Sequence, residues 1–145
     1  IKDTLLVLDN QLRSGNITIE TEFEPQLDKI MGNSNQLQQV FTNLILNAQQ
    51  AMAREGRIWI RTKNAIDPKT NSKRVRIEVQ DTGCGIASES VEKILEPFYT
   101  TKTDQKALGL GLSITYRIVQ DHSGEIAIDS QLNKGTTFII SIPAA

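Results

Sequence analysis

The period of the apolar positions changes several times along the chain, and each change marks an element. Leu5, Leu8 and Leu12 recur at intervals of three and four, and Ser14-Gly15-Asn16 follows, which predicts a short amphipathic helix over 1–13. It opens without a capping residue, so 1–14 reads as the tail of a preceding helix or a linker, ahead of one domain over 15–145. Alternation with period two over 17–23, ended by Pro25, predicts a strand with one solvent face. The strongest helical pattern runs over 35–53, where Leu37, Val40, Phe41, Leu44, Ile45, Ala48 and Met52 form one stripe. Asn33, Ser34 and Asn35 supply N-cap candidates for it. A stripe of that width must face a core.

Alternation returns over 57–61 and 74–79 across a polar segment holding Asp67-Pro68 and Asn71-Ser72, which predicts a hairpin with a long loop. Asp81-Thr82-Gly83-Cys84-Gly85-Ile86 then forms a glycine-rich turn leaving the second strand. A helix is expected over 88–95, capped by Ser88 or Ser90 and stopped at Pro97. Residues 99–108 are polar without a period and read as a loop. Leu110, Ile114, Ile118 and Val119 predict a second buried helix ending near Ser123-Gly124, and 125–129 with 137–142 a final hairpin across Asn133-Lys134-Gly135. The sum is an α/β two-layer sandwich: a mixed sheet of about five strands with helices on one face.

Composition narrows what such a domain does. The chain has 145 residues, with 16 Lys plus Arg against 17 Asp plus Glu and a formal net charge of −1, which removes the electrostatic case for a nucleic-acid or membrane-surface binder. Hydrophobic residues at 39% and charged residues at 23% fit a globular domain. No apolar run approaches the roughly 18 residues of a membrane span. One Cys and one His are too few for a disulfide framework or a Cys/His zinc site.

Three signals carry candidate chemistry. Asn43 and Asn47 are four apart on one helix face, with Gln50 a further turn along the strip. They are either the polar edge of the apolar stripe or hard amide-oxygen donors for Mg²⁺, the second only if phosphates are near. Asp81 before Gly83 and Gly85 is either an ordinary turn or a carboxylate that accepts from an exocyclic amine such as adenine's, with glycines letting the backbone approach a flat ring. Gly109-Leu110-Gly111-Leu112, before a helix, is either a hinge or a phosphate site built on free backbone N–H groups and the helix dipole. Lys102 and Lys106, just upstream, are solvated loop lysines or additional charge for an anionic tail.

These signals, with Glu96-Pro97-Phe98-Tyr99-Thr100-Thr101-Lys102, occur in an order that resembles the catalytic ATP-binding domain of two-component sensor histidine kinases, in the superfamily that includes gyrase B, MutL and the ninety-kilodalton heat-shock chaperone. The segment from Gln39 to Ala48 is similar to the family's N box, Asp81 to Ile86 to its first glycine box, Glu96-Pro97-Phe98 to its F box, and Gly109 to Ile114 to its second glycine box. Gly135-Thr136-Thr137-Phe138 is similar to its closing strand motif, and the Asn-Ala-Gln-Gln-Ala-Met wording resembles the nitrogen-regulation-like subgroup.

The resemblance implies a Bergerat fold with a left-handed βαβ-type ATP site and a lid over 99–108. Asp81 would bind the adenine amine, with Gly83, Gly85 and Ile86 around it, and Thr136 would act through water. Asn47 would be the Mg²⁺ ligand and Asn43 a phosphate or metal-shell contact. Gly109, Leu110, Gly111 and Leu112 would lie on the phosphate side, Lys102 near the anionic tail, and Phe98 would anchor the lid. Gln50 and Ala51 stand where many relatives have a Lys and an aromatic residue, and Ala107-Leu108 replace further Gly and Thr, which implies an altered lid and weaker ATP retention.

Hydrolysing relatives place a Glu at the position of Asn43, and an amide cannot take a proton at neutral pH. Little ATP hydrolysis is therefore expected, with transfer of the γ-phosphoryl to an external histidine instead. His122 reads as a partly cationic cap at the end of its helix, so the acceptor is expected on a separate dimerisation domain of the same protein, with a response regulator downstream. The resemblance implies a cytoplasmic domain, monomeric by itself, within a homodimeric parent whose membrane anchoring it leaves open. Two other readings stay open: a serine/threonine kinase of the anti-sigma type, and a degenerate nucleotide-binding interaction module.

Overall fold

The computed structural model describes residues 1–96 and 111–145. Five strands form one mixed sheet in the order β1-β2-β3-β5-β4: β1 (Ile17–Phe23), β2 (Gly56–Ile66), β3 (Lys73–Asp81), β4 (Glu125–Gln131) and β5 (Gly135–Pro143). β1 and β2 are parallel neighbours, Ile17 opposite Gly56, and the remaining pairs are antiparallel. A parallel pair needs a long crossover, and α2 (Ser34–Ala51) supplies it.

Period-two alternation sorts the sheet into two faces. Ile58, Ile60, Val75, Ile77, Val79, Phe138, Ile140 and Ile142 are buried against α1 (Lys2–Ser14), α2 and α4 (Gly111–Asp121). The other face carries Glu20, Trp59, Arg61, Arg76 and Glu78, tied by Trp59 Nε1 donating to Glu20 at 3.0 Å and an Arg76–Glu78 ion pair at 2.8 Å. α2 starts as expected: Asn33 Oδ1 accepts from the N–H of Asn35 at 2.9 Å and of Gln36 at 3.2 Å. Its stripe of Val40, Phe41, Leu44, Ile45 and Ala48 is buried, and Met52 closes the helix rather than continuing it.

Two expectations change. The helix over 88–95 is a single turn, α3 (Ser88–Val91), with Ala87 at its N-cap and no side-chain cap from Ser88. The Ser90 carbonyl accepts from both Lys93 and Ile94, and the tightened chain buries Ile94 instead of extending the helix. The strands of the central hairpin are longer than 57–61 and 74–79, because the ladder continues through polar positions as far as Ile66 opposite Lys73.

α1 buries Leu8 and Leu12 in the common core, and with them Thr4, which is 1% exposed and whose hydroxyl has no partner among the described residues. A buried unpaired hydroxyl costs about 1–3 kcal/mol, so the nearly isosteric Thr4→Val is expected to stabilise the domain by about 1 kcal/mol. A higher urea midpoint at unchanged slope would show it, and a lower midpoint would refute it.

Candidate functional site

The site is assembled along α2. At the helix's C-terminal end, the Ala51 carbonyl accepts from Cys84 N at 3.0 Å and docks the turn that follows β3. Gly83 is required there: a β-carbon would come within 2.8 Å of the Ala51 carbonyl oxygen and of Asp81 Oδ1. The hairpin between β4 and β5 closes the turn from the other side. Asn133 N donates to Cys84 O at 2.8 Å, and Ser130 Oγ accepts from Ile86 N at 2.8 Å. Ser130 donates to the Gly135 carbonyl at 3.1 Å and lies 2.8 Å from the Thr136 hydroxyl. With Ser130's proton so used, the Thr136 hydroxyl donates to Ser130 and keeps its lone pairs for another donor.

Asp81 lies at the centre of this arrangement, at the last position of β3 and only 3% exposed. Its Oδ1 accepts from Gly83 N at 2.8 Å. Burial pushes the carboxyl above the ordinary carboxylate range, opposed by hydrogen bonds from the backbone of Gly83 and Thr136. Among the described residues no Lys, Arg or His pairs with it. A buried carboxylate held by N–H groups alone is an expensive feature, and its remaining acceptor capacity is suited to a ligand N–H.

One and two turns back from Ala51 stand Asn47 and Asn43, both half-buried, whereas Gln50 is exposed. Asn43 Nδ2 donates to the Gly111 carbonyl at 3.0 Å and approaches Thr115 Oγ1 at 3.4 Å, which fastens the start of α4 to the middle of α2. No group of three or more His, Cys, Asp or Glu that could hold a metal exists among the described residues. Asn43 and Asn47 carry side-chain amides, a donor type that suits Mg²⁺ only when phosphate oxygens and water complete its shell.

His122 is corrected in one respect. Its Nδ1 bonds the Ile118 carbonyl at 2.7 Å, as a cap should, but its Nε2 accepts from Asn33 N at 3.0 Å. Accepting requires the neutral ring, so the residue is a bridge from α4 to the cap of α2 and not a cation on the helix dipole. Gly32 leaves room for that ring, since a β-carbon there would lie 2.5 Å from His122 Cδ2.

Of the residues picked out from sequence, Asn43 and Asn47 stand on α2, Gly83 and Gly111 pack against it, Leu112 follows Gly111 in α4, and Asp81, Gly85, Ile86 and Thr136 lie where the turn after β3 meets the β4–β5 hairpin. Phe98, Lys102, Lys106, Gly109, Leu110 and the 99–108 lid lie outside the described residues. Ser130 and Thr115 went unread, since an isolated Ser in a strand and Thr in a helix give no local signal of tertiary bonds.

The family model described as histidine kinase-, DNA gyrase B- and HSP90-like ATPase matches residues 32–145. Sporulation kinase C of Bacillus subtilis (strain 168) is 40% identical over 144 residues, covering 99% of this chain and 32% of that protein. The chain spans between 16% and 32% of the length of the first curated relatives it matches. The nucleotide-free catalytic domain of histidine kinase ThkA aligns with a TM-score of 0.84 at 32% identity, covering 99% of this chain and 89% of that one. ThkA in complex with the response regulator protein TrrA aligns at 0.78 and 30%, over 99% of this chain and 39% of that one. Full-length ShkA in complex with AMPPNP gives 0.84 at 26%, over 99% and 29%.

Proposed function

The chain belongs to the histidine kinase-, DNA gyrase B- and HSP90-like ATPase family, and from that premise we propose that it binds Mg-ATP and presents the γ-phosphoryl to a histidine on a separate dimerisation domain of a sensor histidine kinase. The observation that carries this reading is Asp81: a buried carboxylate with backbone N–H partners and no cation among the described residues. It accepts the exocyclic amine of adenine, and Thr136 reaches the base through water. Asn47 would hold Mg²⁺, with Gly111 and Leu112 on the phosphate side.

Mg²⁺, when bound, neutralises phosphate charge that would repel a nucleophile. The chain's own residues bind and orient. In the transfer, an imidazole nitrogen of the acceptor forms the N–P bond as the bond from the γ-phosphorus to the bridging oxygen breaks, ADP leaves, and the ring proton is released. Asn43 stands where a hydrolase needs a base and cannot take a proton. ThkA seated with its response regulator supports a regulator as the downstream partner, and ShkA with AMPPNP supports the nucleotide. No described helix is long and apolar enough to cross a membrane.

Calorimetry of the chain with Mg-ATP and Mg-GTP tests the reading. Guanine presents a carbonyl where adenine presents its amine, so ATP is expected to bind at least about tenfold more tightly, the worth of one charge-assisted hydrogen bond. Phosphate release should stay at the buffer background. Equal affinity for the two nucleotides, or steady turnover of ATP by the chain alone, would overturn the assignment.

A further inference from the structure

The contact between α2 and α4 specifies which atom of Asn43 a ligand can meet. The Gly111 carbonyl only accepts, so the Asn43 nitrogen and not its oxygen must face α4, and the orientation of the amide is dictated by chemistry. Thr115 reinforces it. Its side chain is fully buried, its Oγ1 lies 3.4 Å from the same Nδ2, and it is one of the few polar residues in the core. With the nitrogen held against α4, Oδ1 is the end of the amide turned away from it.

We propose that Thr115 is a positioning residue for the Mg-nucleotide site: with the Gly111 carbonyl it holds Asn43 as an acceptor, facing a water of the Mg²⁺ shell rather than a phosphate oxygen. Phosphate oxygens accept and need a donor, and the two N–H groups of Asn43 Nδ2 already face two acceptors, Gly111 O and Thr115 Oγ1. A metal-bound water donates and meets Oδ1 as it stands. The inference rests on the nucleotide reading above and narrows it, leaving Asn43 on the metal side only. It also couples metal loading to the seating of α4, because one amide serves both.

Thr115→Val keeps the shape of the side chain and removes its hydroxyl. Calorimetry with ADP, in excess MgCl₂ and in EDTA, is expected to show the Mg²⁺-dependent gain in affinity reduced about three- to tenfold, the worth of one hydrogen bond. Affinity in EDTA should hold, and Thr115→Ser should restore the gain. In the wild type, the ¹⁵N–¹H pair of the Asn43 side chain should keep its hydrogen-bonded position when ADP is added, with or without Mg²⁺. A fall of equal size in both conditions, or none, overturns the proposal. So does movement of the Asn43 pair toward a free amide, which holds as a test even where the variant folds poorly. A wild-type chain that binds no nucleotide removes the function proposed above, an outcome distinct from the others because each of them requires wild-type binding.

Discussion

Asp81→Asn is expected to lower nucleotide affinity about ten- to hundredfold, because the charge-assisted bond to an exocyclic amine is worth about 1.5–3 kcal/mol. The substitution is small in volume and leaves one oxygen where there were two. With Gly83 N donating to Oδ1 and the Thr136 backbone donating as well, the amide nitrogen must turn either toward one of those N–H groups or toward the incoming amine. Either way a donor meets a donor.

The same substitution is expected to make the empty domain more stable at neutral pH. Burial raises the Asp81 carboxyl above its ordinary range, so the folded state holds the proton more strongly than the unfolded state. The contribution of that proton is fully present below the unfolded pKa of about 4 and is lost as pH rises through the folded value. An amide has no such dependence. The advantage of Asn over Asp therefore grows from about pH 4 toward neutrality, and urea denaturation at both ends of that window measures it. A nucleotide amine favours the ionised carboxylate, so wild-type affinity should fall as the pH drops through the same window. If Asp81→Asn binds as the wild type does, the adenine assignment is wrong.

How much of this was legible before the fold depended on the range over which each signal acts. The stripe of α2 and the alternation of β3 and β5 are short-range patterns, and they predicted the buried residues because one helix face and one sheet face must meet. The motifs that singled out Asp81 and Asn43 are short-range as well. The parallel pairing of β1 with β2 was not specified, since alternation is silent about direction and only the α2 crossover settles it. The helix over 88–95 was overread because Ile94 and Leu95 carry an apolar signal that a tightened turn uses as well as a helix does. His122, Ser130 and Thr115 were missed or misjudged as bonding groups, because the partners that define them, Asn33, Ile86 and Asn43, are distant in sequence. Arg74 is the same case away from the site. A strand residue by pattern, it is buried, pairs with Asp67 at 3.0 Å and donates to Ser141 Oγ at 2.8 Å.

The glycines show the same division, and Gly135 is expected to be among the costliest positions in the domain. Its φ is +104°, and a β-carbon there would run into the Asp81 carbonyl oxygen while lying 2.9 Å from Asp81 C and 3.1 Å from Thr82 Cα. Gly135→Ala meets backbone that cannot step aside as the end of a flexible side chain would. The strained dihedral and the overpacking together are expected to cost about 2–5 kcal/mol. The loss should be functional as well, because moving the first residue of β5 carries the Thr136 backbone away from the Asp81 carboxylate and pulls the Gly135 carbonyl off Ser130. Gly111→Ala is the contrast: among the described residues its β-carbon would meet only the Asn43 side chain, at 3.8 Å. It is expected to stay within about 1 kcal/mol of the wild type, since alanine is the better helix former. Thermal unfolding with ADP calorimetry on both variants separates a glycine needed for close backbone approach from one needed only by its ligand. A Gly135→Ala chain that melts with the wild type would mean that the final hairpin does not close over Asp81.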